Sequence, residues 1–419
     1  MRRILESFSY KNGTLYAEGV ALTGLAQRHG TPAYVYSRAA IESRWRAYAQ
    51  AFTGRSALIC YSVKANGNLA ILNLLARLGS GFDIVSGGEL ERVLAAGGEP
   101  DKVVFSGVGK RADEVRRALE VGIHCFNVES EAELLRLNEI AGQMSVLAPV
   151  SIRVNPDIDP DTHPYIATGL KENKFGIDYE QALGIYHLAD SLDNIEVTGI
   201  DCHIGSQITS IRPYTDAVNK LLALQEKLEQ TGIAIKHIDV GGGLGISYDG
   251  ETATDVAGFA RAVSDLIPEG CGIILEPGRS IVGNAGLLLT RVEYLKTNDA
   301  RHFAVVDASM NDLLRPSLYQ AWHDIIPVTE RMDVTETEYD VVGPVCESGD
   351  FLGLQRRFSL CPGDLLAVLS AGAYGFCMSS NYNSRPRAVE LLVDGEHDYV
   401  IRERESVEQL MAGEKTLPV

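Results

Sequence analysis

A lysine stands directly after an apolar run in the segment YSVKAN, residues 61–66. The preceding run ALIC (57–60) has the composition of a buried strand, and lysine is seldom buried without a functional or ionic partner. An amine at such a position can attack a carbonyl group once burial or a neighbouring cation favours its neutral form. Taken alone, the segment favours the plainer alternative, in which Lys64 ends a strand and extends its ammonium group into water.

Three other apolar runs lead into polar or glycine residues. VTGIDCHI (197–204) leads to His203 and Ser206, IKHIDV (235–240) to Gly241, Gly242 and Gly243, and GIILEP (272–277) to Glu276, Gly278 and Arg279. An imidazole, a carboxylate and a guanidinium can move protons, hold a cation and bind an anion. Singly, His203 could be a satisfied core histidine and Glu276 the cap of a turn. A fold that gathers these runs would make them one site.

The elements that carry these residues alternate regularly. Apolar runs rich in β-branched residues are separated by segments with leucine at helical spacing, such as NLAILNLLARLG (68–79). Eight such runs occur: 57–62, 82–86, 102–106, 123–128, 150–155, 197–204, 235–240 and 272–277. Eight strand-helix repeats predict an α/β fold with a (β/α)8 TIM-like barrel, and a doubly wound open sheet is the alternative. The four polar groups all follow strands, where barrels place their active sites.

The glycine run GGGLGI (241–246) resembles a dinucleotide-binding turn, but Tyr248 occupies the position of the third glycine of that motif. A simple tight turn is a second interpretation. In a barrel, amides after the seventh and eighth strands commonly bind phosphate, and Gly278 and Arg279 supply the second half of such a cradle. With Lys64, His203 and Glu276, this predicts a site for pyridoxal 5′-phosphate, in which Lys64 forms the Schiff base and Glu276 holds the pyridine nitrogen.

The pattern changes beyond about residue 285. Runs such as LLLTRVEYLK, HFAVVDA, YDVVGPVC, DLLAVLS and AVELLVDG follow one another without long helices between them. This predicts a mainly antiparallel β domain, a barrel or sandwich, at 285–419. The hairpin-like SYKNGTLYAEGV predicts that residues 1–30 form strands joining that domain, which leaves 31–284 for the cofactor-binding barrel.

Composition limits the functional class. The chain has 419 residues, is 45% hydrophobic and carries a formal net charge of −18, which argues against binding of nucleic acid or anionic membranes. No apolar segment is long enough to span a bilayer, and no leader is recognisable at the start, so a cytoplasmic location is expected. Seven scattered cysteines without a C-x-x-C motif indicate neither a disulfide framework nor a zinc knuckle.

Several segments together resemble one family. YSVKAN, FDIVSGGEL, HIGSQI, GGGLGI and EPGRSIV are similar to the wider set of basic amino-acid decarboxylases. More specific are NPDIDPDTHPYIATGLKENKFGI (155–177), NDLLRPSLYQAWH (311–323), GPVCESGDFL (343–352) and AGAYGFCMSSNYNSRPR (371–387). Over essentially its whole length the chain resembles the diaminopimelate decarboxylases, within the alanine-racemase-like fold type of pyridoxal-phosphate enzymes. It departs at Ser309, where that family usually has glycine, and we expect only a local backbone effect.

The resemblance implies a role for each matching residue. Lys64 would carry the cofactor, His203 would stack on its ring, and Asp83 would approach one or the other. The phosphate would contact Ser206, Gly241 to Gly243, Gly278, Arg279 and Tyr374. Substrate would be bound by Arg279, Arg315 and Tyr319 at its distal carboxylate, by Glu347 at its distal ammonium, and by Tyr374. Cys346 would donate the proton.

The implied reaction is decarboxylation of meso-2,6-diaminopimelate at its D-centre to L-lysine and carbon dioxide, the last step of lysine biosynthesis. The resemblance also implies a homodimer in which Cys346 completes the opposite subunit's site, whereas a bland alternative makes it one more buried cysteine. An ornithine or arginine decarboxylase is the alternative activity, but its substrate has no distal carboxylate for Arg315. A cofactor carrier or a sugar-phosphate enzyme would each leave part of the pattern unexplained.

Overall fold

The computed structural model describes residues 5, 7–159, 174–249, 254–299 and 301–418. Positions 160–173 of the predicted diaminopimelate motif therefore lie outside the described residues. The described residues form two compact units. One lies within Met1–Ile41, Ser247–Glu251 and Ile281–Val419, and the other within Glu42–Ile246 and Thr252–Ser280. Among the described helices, none has both the length and the apolar character that a membrane span needs.

The first unit begins with four short strands and one helix. They are β1 (Phe8–Lys11), β2 (Thr14–Ala17), β3 (Val20–Ala21), α1 (Leu22–His29) and β4 (Ala33–Ser37). β1, β2 and β3 form an antiparallel sheet of their own. The apolar side chains of this segment, including Phe8, Leu15 and Leu25, are buried in one core with Leu287 and Leu391. The chain then runs through α2 (Arg38–Ala51) into the second unit.

The second unit is a closed barrel of eight parallel strands. They are β5 (Ala57–Ser62), β6 (Gly81–Ile84), β7 (Val103–Phe105), β8 (Cys125–Val128), β9 (Ala148–Asn155), β11 (Ile195–Asp201), β12 (His237–Asp239) and β13 (Gly272–Leu275), with the short β10 (Ile177–Asp178) beside β9. Pairing of β13 with β5 and of β8 with β9 closes the ring. All eight predicted strands are present, and the closure confirms the barrel over the open sheet.

Helices follow the strands as the leucine spacing predicts. They are α3 (Leu69–Arg77), α4 (Gly87–Ala95), α5 (Ala112–Val121), α6 (Glu131–Met144), α7 (Tyr179–Asp190), α8 (Arg212–Gln230), α9 (Val256–Leu266) and the single turn α10 (Arg279–Val282). Side-chain caps fix several starts; Ser86 and Ser130, for example, each accept a hydrogen bond from the amide three residues later. Where such a cap fixes the start of a helix, the loop with polar residues lies between that cap and the preceding strand.

The rest of the first unit is mainly antiparallel, as predicted. Its elements are β14 (Gly286–Asn298), β15 (Arg301–Val306), α11 (Arg315–Tyr319), β16 (Ile325–Pro327), β17 (Thr337–Val342), β18 (Phe351–Phe358), β19 (Leu365–Val368), β20 (Val389–Asp394), β21 (His397–Arg402) and α12 (Val407–Leu410). The sheet order is β18-β17-β15-β14-β4-β20-β21, and β19 also pairs with β14 and β16. Two pairings, β15 with β17 and β4 with β20, are parallel.

Candidate active site

The barrel interior changes from apolar to polar along its strands. Side chains two residues apart on a strand share a face. The inward face therefore passes from Ile274 to Glu276 after β13, from Val104 to Ser106 after β7, and from Cys125 to Asn127 within β8. The polar members lie toward the carboxyl-terminal ends of the strands, which is the end where barrels carry out chemistry.

Lys64 lies at this end, in a 3₁₀ turn (Val63–Ala65) directly after β5. Its Nζ is 2.8 Å from Oδ2 of Asp83, which belongs to β6 and is completely buried. The hydroxyl of Ser62 lies 2.9 Å from the same oxygen. Oδ1 of Asp83 has no hydrogen-bond partner among the described residues. Asp83 thus fixes the lysine side chain over the barrel end, and the Lys64 side chain stays one third exposed.

Glu276 follows β13 and is almost entirely buried. Its Oε1 accepts hydrogen bonds from Ser106 Oγ at 3.2 Å and from Asn127 Nδ2 at 3.3 Å. The same amide nitrogen of Asn127 lies 3.5 Å from Oδ2 of Asp239, whose Oδ1 accepts from the backbone N–H of Gly241 at 2.8 Å. Asn127 therefore links the two carboxyl groups and sets the orientation of Glu276.

The carboxyl groups in this layer repel one another. Burial raises the pKa of Glu276 well above its usual value, and the neighbouring carboxylates of Asp239 and Asp83 raise it further. Burial also raises the pKa of Asp239 to about 7. Asp201 belongs to the same cluster, and its Oδ1 makes no hydrogen bond within the described part of the chain. A positive charge beside these carboxyl groups would reduce their repulsion. The protonated ring nitrogen of pyridoxal phosphate would supply such a charge.

His203 follows β11. Its Nδ1 accepts a hydrogen bond from the Gly242 amide at 3.2 Å, which leaves the ring proton on Nε2. Burial lowers the pKa of His203 well below its usual value, and the cations Arg153 and Lys64 lower it further. The imidazole is therefore neutral, oriented by the glycine run, and suited to lie against an aromatic ring.

The predicted phosphate residues of the barrel lie in three closely packed loops. Gly243 has φ near +100°, and a Cβ there would lie 2.2 Å from the carbonyl oxygen of Gly205. Gly241 has φ near +72°. Arg279, at the start of α10 and directly after Gly278, donates from Nη2 to Ser206 Oγ at 2.9 Å. The structure therefore brings the loops after β11, β12 and β13 into contact, as the sequence predicts.

We expect Gly243→Ala to weaken cofactor binding at least tenfold. A non-glycine residue at this φ is strained by about 1–3 kcal/mol, before the contact with Gly205 is counted, and about 1.4 kcal/mol corresponds to a factor of ten. Titration of the cofactor-stripped protein with pyridoxal phosphate measures the change. Gly184→Ala is the matched control, because Gly184 lies within α7 and a Cβ there meets nothing within 4 Å. Equal affinities of the two variants would contradict a binding role for the turn.

Arg315, one of the predicted substrate residues of the first unit, is buried at the start of α11. Its Nη1 lies 2.8 Å from Nε2 of His323, and its guanidinium lies 4.7 Å from the ring centroid of Tyr248. The other ring nitrogen of His323 donates to the carbonyl of Leu369 at 2.8 Å, so Nε2 is the acceptor. The guanidinium is thus held in a fixed orientation. Tyr319 ends the same helix and is partly exposed.

Cys346 and Glu347 lie in the loop between β17 and β18, and both are exposed. This exposure excludes the alternative of a buried structural cysteine. The buried carboxylate of Asp350 shapes the loop, because it accepts from the amides of Met310 and Val345, each at 2.7 Å. The Cys346 amide donates to Asn383 Oδ1 at 2.9 Å. Tyr374 has φ near +56° in the AGAYGF segment of the same unit.

Several site residues were missed by the sequence analysis. They are Ser62, Ser106, Asn127, Arg153, Asp201, Asp239, Tyr248 and His323. Because side chains alternate between the two faces of a strand, some of these residues could have been predicted. Asn127 lies two positions after Cys125 in β8, and Asp239 lies two positions after His237 in β12. Arg153 is held by a buried ion pair with Glu129 at 3.0 Å, and no motif marks that pair.

Comparison with known proteins gives the family. Residues 38–283 match the model of the pyridoxal-binding domain of pyridoxal-dependent decarboxylases. The chain is 59% identical to a diaminopimelate decarboxylase of Pseudomonas aeruginosa over 415 residues, which covers 99% of this chain and 100% of the relative. The chain belongs to the diaminopimelate decarboxylases. The expected family, the decarboxylase activity and the pyridoxal cofactor are therefore confirmed.

Solved diaminopimelate decarboxylases have the same fold. A Helicobacter pylori structure complexed with L-lysine has a TM-score of 0.90 at 45% identity and covers 93% of this chain and 98% of its own. A structure from M. jannaschii, also in complex with L-lysine, has a TM-score of 0.93 at 37% identity and covers 99% of this chain and 98% of its own. The likeness extends over both units of the chain.

Proposed function

We propose that Lys64, His203 and Glu276 hold pyridoxal phosphate in the barrel, where the chain removes the D-centre carboxylate of meso-2,6-diaminopimelate to give L-lysine and carbon dioxide. The observation that carries this proposal is the buried carboxyl cluster around Glu276 on the same barrel end as a lysine held by Asp83. Pyridoxal phosphate, when bound, accepts the electron pair that carbon dioxide leaves behind.

The barrel residues would bind and orient. Lys64 would anchor the cofactor through its amine. Asp83 accepts a hydrogen bond from that amine and keeps it at the strand ends. Glu276, oriented by Asn127 and Ser106, holds a proton at the ring nitrogen. Neutral His203 lies against the ring without adding a competing charge. Ser206, the glycine run, Gly278, Arg279 and Tyr374 would contact the phosphate.

Substrate recognition would depend on the distal L-centre. Arg279, Arg315 and Tyr319 bind its carboxylate, since a planar guanidinium matches a carboxylate with two hydrogen bonds and remains charged. Glu347 binds the distal ammonium group, and Tyr374 also contacts the substrate. Cys346 delivers a proton to the carbon that has lost carbon dioxide. The rigid hold on Arg315 by His323 supports a fixed carboxylate site, which ornithine and arginine would not fill.

Release of carbon dioxide from a panel of amino acids tests the substrate. We expect turnover of meso-diaminopimelate and at least a hundredfold lower kcat/KM for ornithine, arginine and lysine, because a site built around a charged group rejects analogues that lack it. The LL-isomer of diaminopimelate is the sharpest comparison, since it retains both carboxylates and lacks only the D-centre. Comparable turnover of ornithine would overturn the proposed role of the distal carboxylate.

We further propose that the protein works in the cytoplasm as a homodimer in which Cys346 and Glu347 of one chain complete the site of the other. The exposure of both side chains on their own unit supports this assignment.

Mixing two inactive variants tests the shared site. Lys64→Ala and Cys346→Ala chains that exchange freely form about half hybrid dimers, each with one intact site, so activity should recover to roughly a quarter of wild type. Differently tagged chains verify exchange. The control mixes Lys64→Ala chains with chains that carry both Lys64→Ala and Cys346→Ala. No site in that mixture contains Lys64, so no activity should be recovered. If fully exchanged subunits stay inactive, the shared site has to be given up.

A further inference from the structure

A group of two histidines and a cysteine lies at the opposite end of the barrel from the cofactor residues. Cys125 is the first residue of β8, His237 is the first residue of β12, and His124 directly precedes β8. Because the strands are parallel, these positions belong to the amino-terminal end of the barrel. Cys125 and His237 each lie two residues before the polar layer that contains Asn127 and Asp239. The group shares no residue with that layer, although Sγ of Cys125 lies 3.8 Å from Oδ1 of Asn127.

The three side chains point toward a common centre. One donor atom from each lies within 4.8 Å of the others, and Sγ of Cys125 is 4.0 Å from Nε2 of His237. The two imidazole rings have their centroids 5.5 Å apart. A tetrahedral zinc ion with bonds of about 2.3 Å to sulfur and about 2.0–2.1 Å to nitrogen places those atoms roughly 3.6 Å apart. Movements of about an ångström or less would complete that geometry.

A hydrogen bond outside the group sets the tautomer of His124. Its Nδ1 lies 3.1 Å from the carbonyl oxygen of Asp101, which can only accept, so Nδ1 carries the proton and Nε2 offers a lone pair. A metal-binding histidine commonly donates its second ring nitrogen to a carbonyl or carboxylate in this way.

The barrel wall leaves room for the His237 ring. Gly199 of β11 pairs with His237, and a Cβ at Gly199 would lie 2.1 Å from Nε2 of His237. On the other neighbouring strand, His237 pairs with Gly272. Glycine on both sides lets the imidazole extend across the barrel end toward Cys125. If this end of the barrel were only filled by apolar side chains, a histidine between two glycines would not be needed.

We propose that His124, Cys125 and His237 bind a divalent ion of the zinc class at the amino-terminal end of the barrel. A thiolate with two imidazoles is a borderline-soft donor set that suits zinc and excludes calcium and magnesium. On binding, the Cys125 thiol releases its proton to solvent and its sulfur takes the new bond to the metal. His124 is only half-buried, so a water molecule can reach the fourth position.

Cobalt(II) is the probe, because it takes zinc sites and shows a thiolate charge-transfer band only when sulfur is a ligand. The holoenzyme is first dialysed against a chelator and then titrated with cobalt(II), with bound metal measured after equilibrium dialysis. We expect one ion per chain and a thiolate band in the wild type. Cys125→Ser should lose the band and the bound ion. His124→Gln should weaken binding at least tenfold, as loss of a ligand costs no less than loss of its hydrogen-bond partner.

Two matched variants serve as controls. Cys361→Ser removes a partly exposed thiol of the other unit, and His187→Gln removes an exposed imidazole on α7; both should bind cobalt as the wild type does. A band that survives in Cys125→Ser, or no band in the wild type, overturns the proposal. If Cys125→Ser fails to fold, the His124→Gln variant provides the test, because His124 is only half-buried. An unchanged affinity for cobalt(II) in that variant would also overturn the proposal.

Discussion

Lys64→Ala is expected to lose turnover together with the Schiff-base linkage between the chain and its cofactor. The amine of Lys64 is the anchor in the proposed site, and Asp83 holds it 2.8 Å away at the strand ends. Phosphate contacts from the loops after β11, β12 and β13 would not depend on this lysine, so pyridoxal phosphate should still bind, but as a free aldehyde that borohydride reduces without attaching it to the chain. The mass of the unfolded chain after borohydride reduction shows whether the cofactor was covalently linked, and carbon dioxide release measures turnover.

The control is Lys236→Ala, which removes an exposed lysine that pairs with Glu196 on the surface of the barrel. This variant should keep the covalent linkage and wild-type turnover, since exposed ion pairs contribute little. If the unfolded Lys64→Ala chain still carried the reduced cofactor covalently, another lysine would be the anchor, and the roles of Asp83 and Glu276 would have to be reassigned with it.

The barrel could be predicted because its pattern is local. Each strand is a short β-branched run, each helix repeats leucine at helical spacing, and polar residues at strand ends are read directly from the sequence. Lys64, His203 and Glu276 could be proposed as site residues for that reason. Asn127 could not be assigned a role, because its hydrogen bond to Glu276 depends on which strands face one another across a closed ring, and no residue pattern states that in advance.

The first unit was harder to predict in detail. Its two parallel pairings, β15 with β17 and β4 with β20, join strands that are distant in the chain, and hairpin signals do not predict such pairings. The orientation of Arg315 depends on His323, which follows it through an irregular loop. Ser309 is buried beside Gly343, and a Cβ at Gly343 would lie 2.4 Å from the Cβ of Ser309. Glycine at 343 therefore allows this close approach, which no side-chain pattern in the sequence predicts.

Arg315→Ala should raise the KM for meso-diaminopimelate by about tenfold to a hundredfold with a much smaller change in cofactor affinity. Hydrogen bonds to a charged group contribute about 1.5–3 kcal/mol, and about 1.4 kcal/mol is a factor of ten. L-lysine keeps the distal carboxylate, so its inhibition constant should rise in parallel. A five-carbon diamine without carboxylates lacks the recognised group, and its inhibition should not change.

Arg315→Lys separates charge from geometry. Lysine keeps the positive charge but cannot form two parallel hydrogen bonds to a carboxylate, so this variant should recover only part of the lost affinity. Thermal denaturation of both variants checks that removing the partner of His323 has not unfolded the unit. The diamine is decisive, because general damage to the site would weaken all three ligands alike. An unchanged KM for meso-diaminopimelate in a folded Arg315→Ala variant would remove the distal carboxylate contact from the proposed mechanism.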